Sequence, residues 1–393
     1  MSAKPTESSY LDNNATSPTA PEVVAAIVSV LEGECGNPSS QHGPGRRAAE
    51  QLMKARVQVS CLLGAAQDAE IVFTSGGTEA NNTAIHSSLA TQTGRNEIVI
   101  SSLEHASVLA TCAALEARGA AVVHRIPVDD DGRIQIDAYR AALNEHTALA
   151  SVQWANNETG VLQPIAELSA LAHAAGALFH SDAVQAAGRM HFSVQESHID
   201  FLSVSAHKLH GPQGVGALYI HRKTPFAAHI RGGRQERTRR AGSENVAGIV
   251  GFGKAAALAI EHRSSAQAWT RALRDELERR ILELSPTARV LSRNADRLEN
   301  TSCIAFSGLE GEDLVTLLDK SGVAVSSGSA CASGGMEPSH VVRAMRVPFS
   351  HLRGAVRFSL SRYTTIAEID HAIAALGAVL EMLKEPTEGL LYG

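Results

Sequence analysis

The chain has 393 residues, 44% hydrophobic and 19% charged, with a net charge of −6. That length suits one very large domain or two ordinary ones, and the apolar fraction excludes a disordered chain. The mild acidity excludes the basic face expected of a nucleic-acid or anionic-membrane binder.

The N-terminus, "MSAKPTESSYLDNNAT", is polar and lacks the apolar run of a secretory signal. The five cysteines, Cys35, Cys61, Cys112, Cys303 and Cys331, are odd in number, scattered and without CxxC spacing. That favours a reducing, cytoplasmic setting over a disulfide framework or a cysteine-only zinc site. From about residue 46 to 222, helical stretches such as "RRAAEQLMKARVQVSCLLGA" and "IAELSALAHAAG" alternate with short β-rich runs. The runs are "EIVFTS", "NEIVIS", "AAVVHRIPV", "ALASVQWAN", "ALFHSDAVQ", "IDFLSVSA" and "GVGALYIH". Several are nearly all apolar, as strands covered on both faces are. The alternation predicts an α/β fold with a mostly parallel sheet.

Three stretches stand at the ends of these runs. In "FTSGGTEANN" a strand ends at Thr74, two glycines turn the chain, and Thr78 and Glu79 open a helix. A glycine turn into a helix start suits an anion, though a plain strand–turn–helix with a Thr78 cap reads equally well. In "FHSDAVQAAG" Asp182 closes an apolar run, either as a ligand-facing carboxylate or as the cap of a following helix. In "SVSAHKLHGPQGVGALYI" Lys208 leaves a buried strand into a glycine-rich turn, as an amine nucleophile or as a lysine snorkelling at a strand end. His207 and His210 lack further ligands at metal-site spacing.

After "RAGSEN" a long helical stretch, "VAGIVGFGKAAALAIEHRSSAQAWTRALRDELERRILEL", runs to Pro286. Beyond it come "SCIAFSG", the helix "GEDLVTLLDKSG", the loop "SSGSACASGG", "GAVRFSLS" and a last helix, "IAEIDHAIAALGAVLEML". This predicts a smaller α+β domain, with 15–260 as the large domain and 1–14 plus 261–393 as the small one. Cys331 sits in the Gly/Ser loop among residues too small to bury it, so a swinging, exposed thiolate is the expectation there. The other four cysteines read as packing residues.

A phosphate site, an acid at one strand end and a lysine at another, with Asp182 and Lys208 twenty-six residues apart, are what pyridoxal 5′-phosphate requires. With "YLDNNAT", "GNPSSQHGPG", "LEHASVL", "WANNETG", "RGGRQERTRRAGSEN", "SSGSACASGGMEPSHVVRAM" and "RFSLSRYTT", the chain resembles over nearly its whole length the cysteine desulfurases of the NifS/IscS type. These are fold-type I pyridoxal-phosphate enzymes of the class-V aminotransferase family, and the wording of "WANNETG" and "RFSLSRYTT" is nearest to the nitrogen-fixation branch.

The resemblance implies removal of sulfur from L-cysteine, giving L-alanine and a persulfide on Cys331, with the sulfur passed to an iron–sulfur scaffold. It implies Lys208 as the Schiff-base lysine, Asp182 at the pyridine nitrogen and Gln185 at the phenolic oxygen. Gly77, Thr78, Ser205 and His207 would hold the phosphate. His105 would stack on the ring and assist proton transfer, Asn157 would contact cofactor and substrate, and Arg357 would clamp the substrate carboxylate. In a homodimer Ser243, standing where the family usually has Thr, would reach the partner's phosphate, with the arginines 231, 234, 237, 239 and 240 nearby. Competing readings are a selenocysteine lyase or aminotransferase, which need not depend on Cys331, and a non-enzymatic iron–sulfur assembly scaffold.

Overall fold

The computed structural model describes residues 8–327 and 337–384. Strand β1 (Ser9–Tyr10) is followed by helix α1 (Pro21–Glu32), which enters on Pro21, a residue suited to a first turn. Helix α2 (Gly43–Leu63) starts where His42 accepts the Gly45 N–H, and ends at Gly64, whose φ of 65° is left-handed. Then come β2 (Ile71–Thr74), α3 (Gly77–Thr91), β3 (Glu97–Ser101), α4 (Ala106–Ala117), β4 (Val122–Ile126) and α5 (Ile136–Ala142). They are followed by β5 (Thr147–Ser151), α6 (Ile165–Ala174), β6 (Leu178–Asp182), β7 (Phe201–Ser205) and β8 (Gly216–Ile220). All seven β-rich runs of the sequence are strands of one sheet, in the order β2-β8-β7-β6-β5-β3-β4. Only β8 runs against its neighbours; the ladders β7-β6-β5-β3-β4 are parallel. Strands β2 and β5 to β8 are buried along their whole length, because helices cover both faces.

Helix α7 (Val246–Leu284) is capped by Asn245, whose Oδ1 accepts the Gly248 N–H at 3.0 Å. It ends two residues before Pro286, which cannot continue it. At about 1.5 Å per residue it is roughly 58 Å long. Its first half packs Ile249 and Phe252 into the core of the seven-stranded sheet. Its second half packs Leu273, Leu277 and Ile281 into a second core with Leu11, Phe306, Phe358 and Leu376. That second core covers a four-stranded sheet built from β9 (Arg289–Val290), β10 (Thr301–Ala305), β12 (Ser326–Ser327) and β13 (Ala355–Ser359), while β11 (Val323–Ala324) pairs with β1. Helices α8 (Gly311–Lys320), α9 (His340–Ala344), α10 (Phe349–Leu352) and α11 (Ile366–Lys384) complete the described residues. None of the helices among them is long and apolar enough to cross a membrane.

In an open α/β sheet, ligands gather beyond the carboxyl ends of the parallel strands. Those ends are Thr74, Ser101, Ile126, Ser151, Asp182 and Ser205. Strand β8 draws two of them together, since Gly216 stands in register with both Thr74 and Ser205. A Cβ on Gly216 would lie 2.6 Å from Val204 O and 2.7 Å from Gly76 Cα, so no larger residue fits between them.

Candidate active site

The carboxyl ends of the parallel strands open into a cavity of about 300 Å³. Ten of the twelve residues singled out in the sequence line it: Gly77, Thr78, His105, Asn157, Asp182, Gln185, Ser205, His207, Lys208 and Arg357. Each strand end delivers its share. Beyond β2 lies the glycine turn, beyond β3 His105, beyond β5 Asn157, at the end of β6 Asp182 with Gln185 beyond it, and beyond β7 His207 and Lys208.

Helix α3 starts at Gly77, so the cap is Gly76 and not Thr78, and no side chain satisfies the helix start. Thr78 instead lines the cavity inside the first turn. The unsatisfied N–H groups and the helix dipole favour an anion there. A Cβ on Gly77 would sit 2.7 Å from Val184 Cγ2, so the turn is a cradle only glycine leaves open. The Ser205 hydroxyl lies 3.9 Å from where a Cβ on Gly76 would be, beside the same helix start. His207 Nδ1 is 3.1 Å from Thr16 Oγ1. Burial, with the charges of Lys208 and Arg189, pushes the His207 imidazole down to about 4, so it meets the cavity neutral.

Asp182 is the last residue of β6 and caps no helix: its Oδ1 accepts the Val184 N–H at 2.9 Å and its Oδ2 accepts Asn81 Nδ2 at 2.7 Å. Lys208 Nζ donates to Asn14 O at 2.5 Å and Ala15 O at 2.7 Å. Gln185 donates to Asn14 O at 3.0 Å and accepts from Arg189 Nη1. His105 caps α4, with Nδ1 accepting the Ser107 N–H. Arg357, 4% exposed, donates Nη1 to Asn157 O at 3.0 Å and Nη2 to Asp12 Oδ1 at 2.6 Å, while its buried Nε has no partner among the described residues.

The remaining two residues stand apart. Ser243 is exposed and does not line this cavity; its segment is tied to α3 by Arg240, whose Nε lies 2.9 Å from Glu79 Oε1. Cys331 lies outside the described residues. Both flanks of its segment nevertheless attach at the cavity. Ser326 pairs with Arg357 across β12 and β13. On the other side Ser339 Oγ donates to Glu158, next to Asn157, at 2.7 Å, and His340 Nε2 lies 3.1 Å from Glu104 O, next to His105.

The expectation that the other cysteines pack inside holds for two of them. Cys112 and Cys303 are buried, which pushes their thiols up to about 12. Cys35 and Cys61 are exposed: Cys61 lies on the outer side of α2, where the helical pattern of its neighbours gave no sign of facing. The sequence reading also assigned no role to Asp12, Asn14, Asn81 and Arg189, although "YLDNNAT" and "TEANN" were in view. Arg189 is part-buried, donates to Asn13 O at 3.0 Å and Lys208 O at 3.2 Å, and is pushed down to about 9 by burial and by Arg357. Among the described residues no group of three His, Cys, Asp or Glu could hold a metal.

The class-V aminotransferase family profile matches residues 9–372. A curated cysteine desulfurase of Cereibacter sphaeroides is 56% identical over 95% of this chain and 96% of its own length. The cysteine desulfurase NifS of Azotobacter vinelandii is 48% identical over 95% and 93%. The chain belongs to the cysteine desulfurases of the class-V aminotransferase family. Among solved structures, a NifS-like protein superposes with a TM-score of 0.90 at 34% identity, covering 96% of this chain and all of its own. A second, described as SspA in complex with cysteine, gives 0.79 at 32% identity, covering 91% of this chain and all of its own. The fold expected from the sequence, a mostly parallel sheet of the fold-type I class, is the fold observed.

Proposed function

We propose that this cysteine desulfurase acts on L-cysteine with pyridoxal 5′-phosphate, leaving L-alanine and a persulfide on Cys331. The carrying observation is the convergence of Lys208, Asp182, His105 and the Gly77–Thr78 helix start on one cavity, to whose edge both flanks of the Cys331 segment are attached. The residues suit the cofactor chemically: an uncapped helix start for a phosphate, a carboxylate for a ring nitrogen and an amine for an aldehyde.

When bound, the cofactor supplies an electron sink for the pair left when Cα loses its proton. Gly77, Thr78, Ser205 and a neutral His207 hold the phosphate, and Ser243 of this chain serves the partner's site in a homodimer. Asp182 would hold a proton at the ring nitrogen, Gln185 would meet the phenolic oxygen, and His105 would cover the ring and assist proton transfer. Lys208 Nζ carries the cofactor and then moves the Cα proton. Arg357 orients the substrate carboxylate and Asn157 contacts both ligands. The Cys331 thiolate would attack the substrate sulfur: an S–S bond forms, the C–S bond breaks with its pair left on Cβ, the proton given up by the substrate thiol goes to that carbon and Lys208 returns the Cα proton, so L-alanine departs and the persulfide stays on Cys331. The persulfide is then handed to an acceptor, for which the resemblance in "WANNETG" and "RFSLSRYTT" supports an iron–sulfur scaffold serving nitrogenase. The two cores support the division into 15–260 and 1–14 with 261–393.

The test is mass spectrometry of the protein after exposure to L-cysteine, with alanine measured in parallel. A sulfur adduct mapped to Cys331 with released L-alanine is the expected result. Alanine formed by a Cys331→Ala variant at the wild-type rate would leave a selenocysteine lyase or aminotransferase as the better reading.

A further inference from the structure

The second turn of α3 carries Asn81, which is 1% exposed and has no part in the mechanism above. Its Nδ2 donates to Asp182 Oδ2 at 2.7 Å and to Ser107 Oγ at 2.9 Å. An amide nitrogen has two hydrogens, and both are thereby used. The opposite orientation would set the amide oxygen against the carboxylate, so Asp182 dictates which way the amide faces.

Ser107 Oγ lies 2.8 Å from His105 Nδ1. Because this hydroxyl accepts from Asn81, its own hydrogen is left to donate to Nδ1. The Ser107 backbone N–H donates to the same nitrogen at 3.1 Å. With two donors converging on Nδ1, the neutral ring carries its hydrogen on Nε2. Asn81, Ser107 and His105 thus form a chain with one direction, and it begins at the Asp182 carboxylate.

We propose that Asn81 is a positioning residue: it holds the Asp182 carboxylate in place and, through the Ser107 hydroxyl, sets the Nε2–H tautomer of His105. This rests on the reading of Asp182 and His105 as cofactor contacts. On that reading any proton His105 exchanges passes through Nε2, and one side chain couples the group beneath the ring nitrogen to the group covering the ring.

The experiment is nitrogen-15 NMR of histidine-labelled full-length protein at about pH 8, above the ordinary imidazole range. It is recorded before and after addition of pyridoxal 5′-phosphate, and His105→Gln identifies the His105 signal among the 17 histidines. Wild type is expected to show the Nε2–H tautomer in both states. In Asn81→Ala the Ser107 hydroxyl can turn, and a mixture of tautomers is expected. Absorbance titration should show pyridoxal 5′-phosphate held about tenfold more weakly by that variant, the loss typical of a hydrogen bond to a charged group. If melting curves show Asn81→Ala unfolded, Asn81→Asp is read in its place, since it keeps the shape and removes both N–H donors. A wild-type ring protonated on Nδ1, or a tautomer unchanged in the folded Asn81 variant, overturns the proposal. The spectra taken without cofactor decide this even if pyridoxal 5′-phosphate fails to react at Lys208, which would instead defeat the functional reading.

Discussion

Arg357 enters the site already committed: Nη2 is paired with Asp12 and Nη1 with the Asn157 carbonyl, and Nε has no partner among the described residues. A buried guanidinium held in this way is pre-set for a planar, two-point contact with a carboxylate, which a lysine cannot imitate. Arg357→Lys is therefore expected to raise KM for L-cysteine about 10- to 100-fold, the loss of one or two charged hydrogen bonds, with a smaller change in kcat. Steady-state kinetics measures this, and an unaltered KM removes Arg357 from substrate binding. The neutral His207 follows the same logic, because burial between Lys208 and Arg189 denies it a charge.

Helix α7 links the two cores, and it does so through close contact with α2. A Cβ on Gly253 would lie 2.6 Å from Ala55 Cα, a backbone atom that cannot move without shifting α2. On an exposed helix, Gly→Ala gains about 1 kcal/mol of helix propensity. Here overpacking should reverse the sign, and Gly253→Ala is expected to cost about 1–3 kcal/mol. Urea denaturation followed by circular dichroism decides it: a midpoint higher than wild type would show that the α2–α7 contact yields easily. The strand ends behave differently. They are fixed by the ladders beneath them, which is why side chains from five strands can meet in one cavity.

Two buried carboxyls give the protein an unusual pH response. Burial pushes Glu104 up to about 8, with Asp182 adding to the shift, and pushes Glu158 up to about 7 against the opposing pull of Ser339 and Arg357. The folded chain keeps these protons, whereas the unfolded chain releases them near an ordinary carboxylate pKa of about 4.3. Between those limits the unfolded state binds fewer protons, so stability falls as pH rises from about 5 to 8 and levels off beyond. Glu104→Gln, which keeps an acceptor for the Gln153 N–H and Ser101 hydroxyl, should flatten that fall. At about pH 8 it is expected to melt higher than wild type by on the order of 1–3 °C. Melting curves across the range test this, and parallel curves for the two proteins would contradict it.

The seven strands of the main sheet and the full extent of α7 were legible in the amino-acid string, because apolar runs, caps and prolines act within a few residues. Gly77, Asp182 and Lys208 were legible for the same reason, each standing where an apolar run gives way to a turn. Helix α1 escaped notice, since Val24, Val28 and Leu31 lie on its exposed side and blur the period a core-facing helix should have. The partnerships of Asp12 with Arg357 and of Asn14 and Ala15 with Lys208 could not be read from spacing. They join residues 345, 194 and 193 positions apart, and exist only once β1, β7 and β13 have been brought together by folding. Local patterning thus determined the elements and the chemistry at their ends. Which ends face one another was decided by strand order and packing, long-range contacts that no short window of sequence contains.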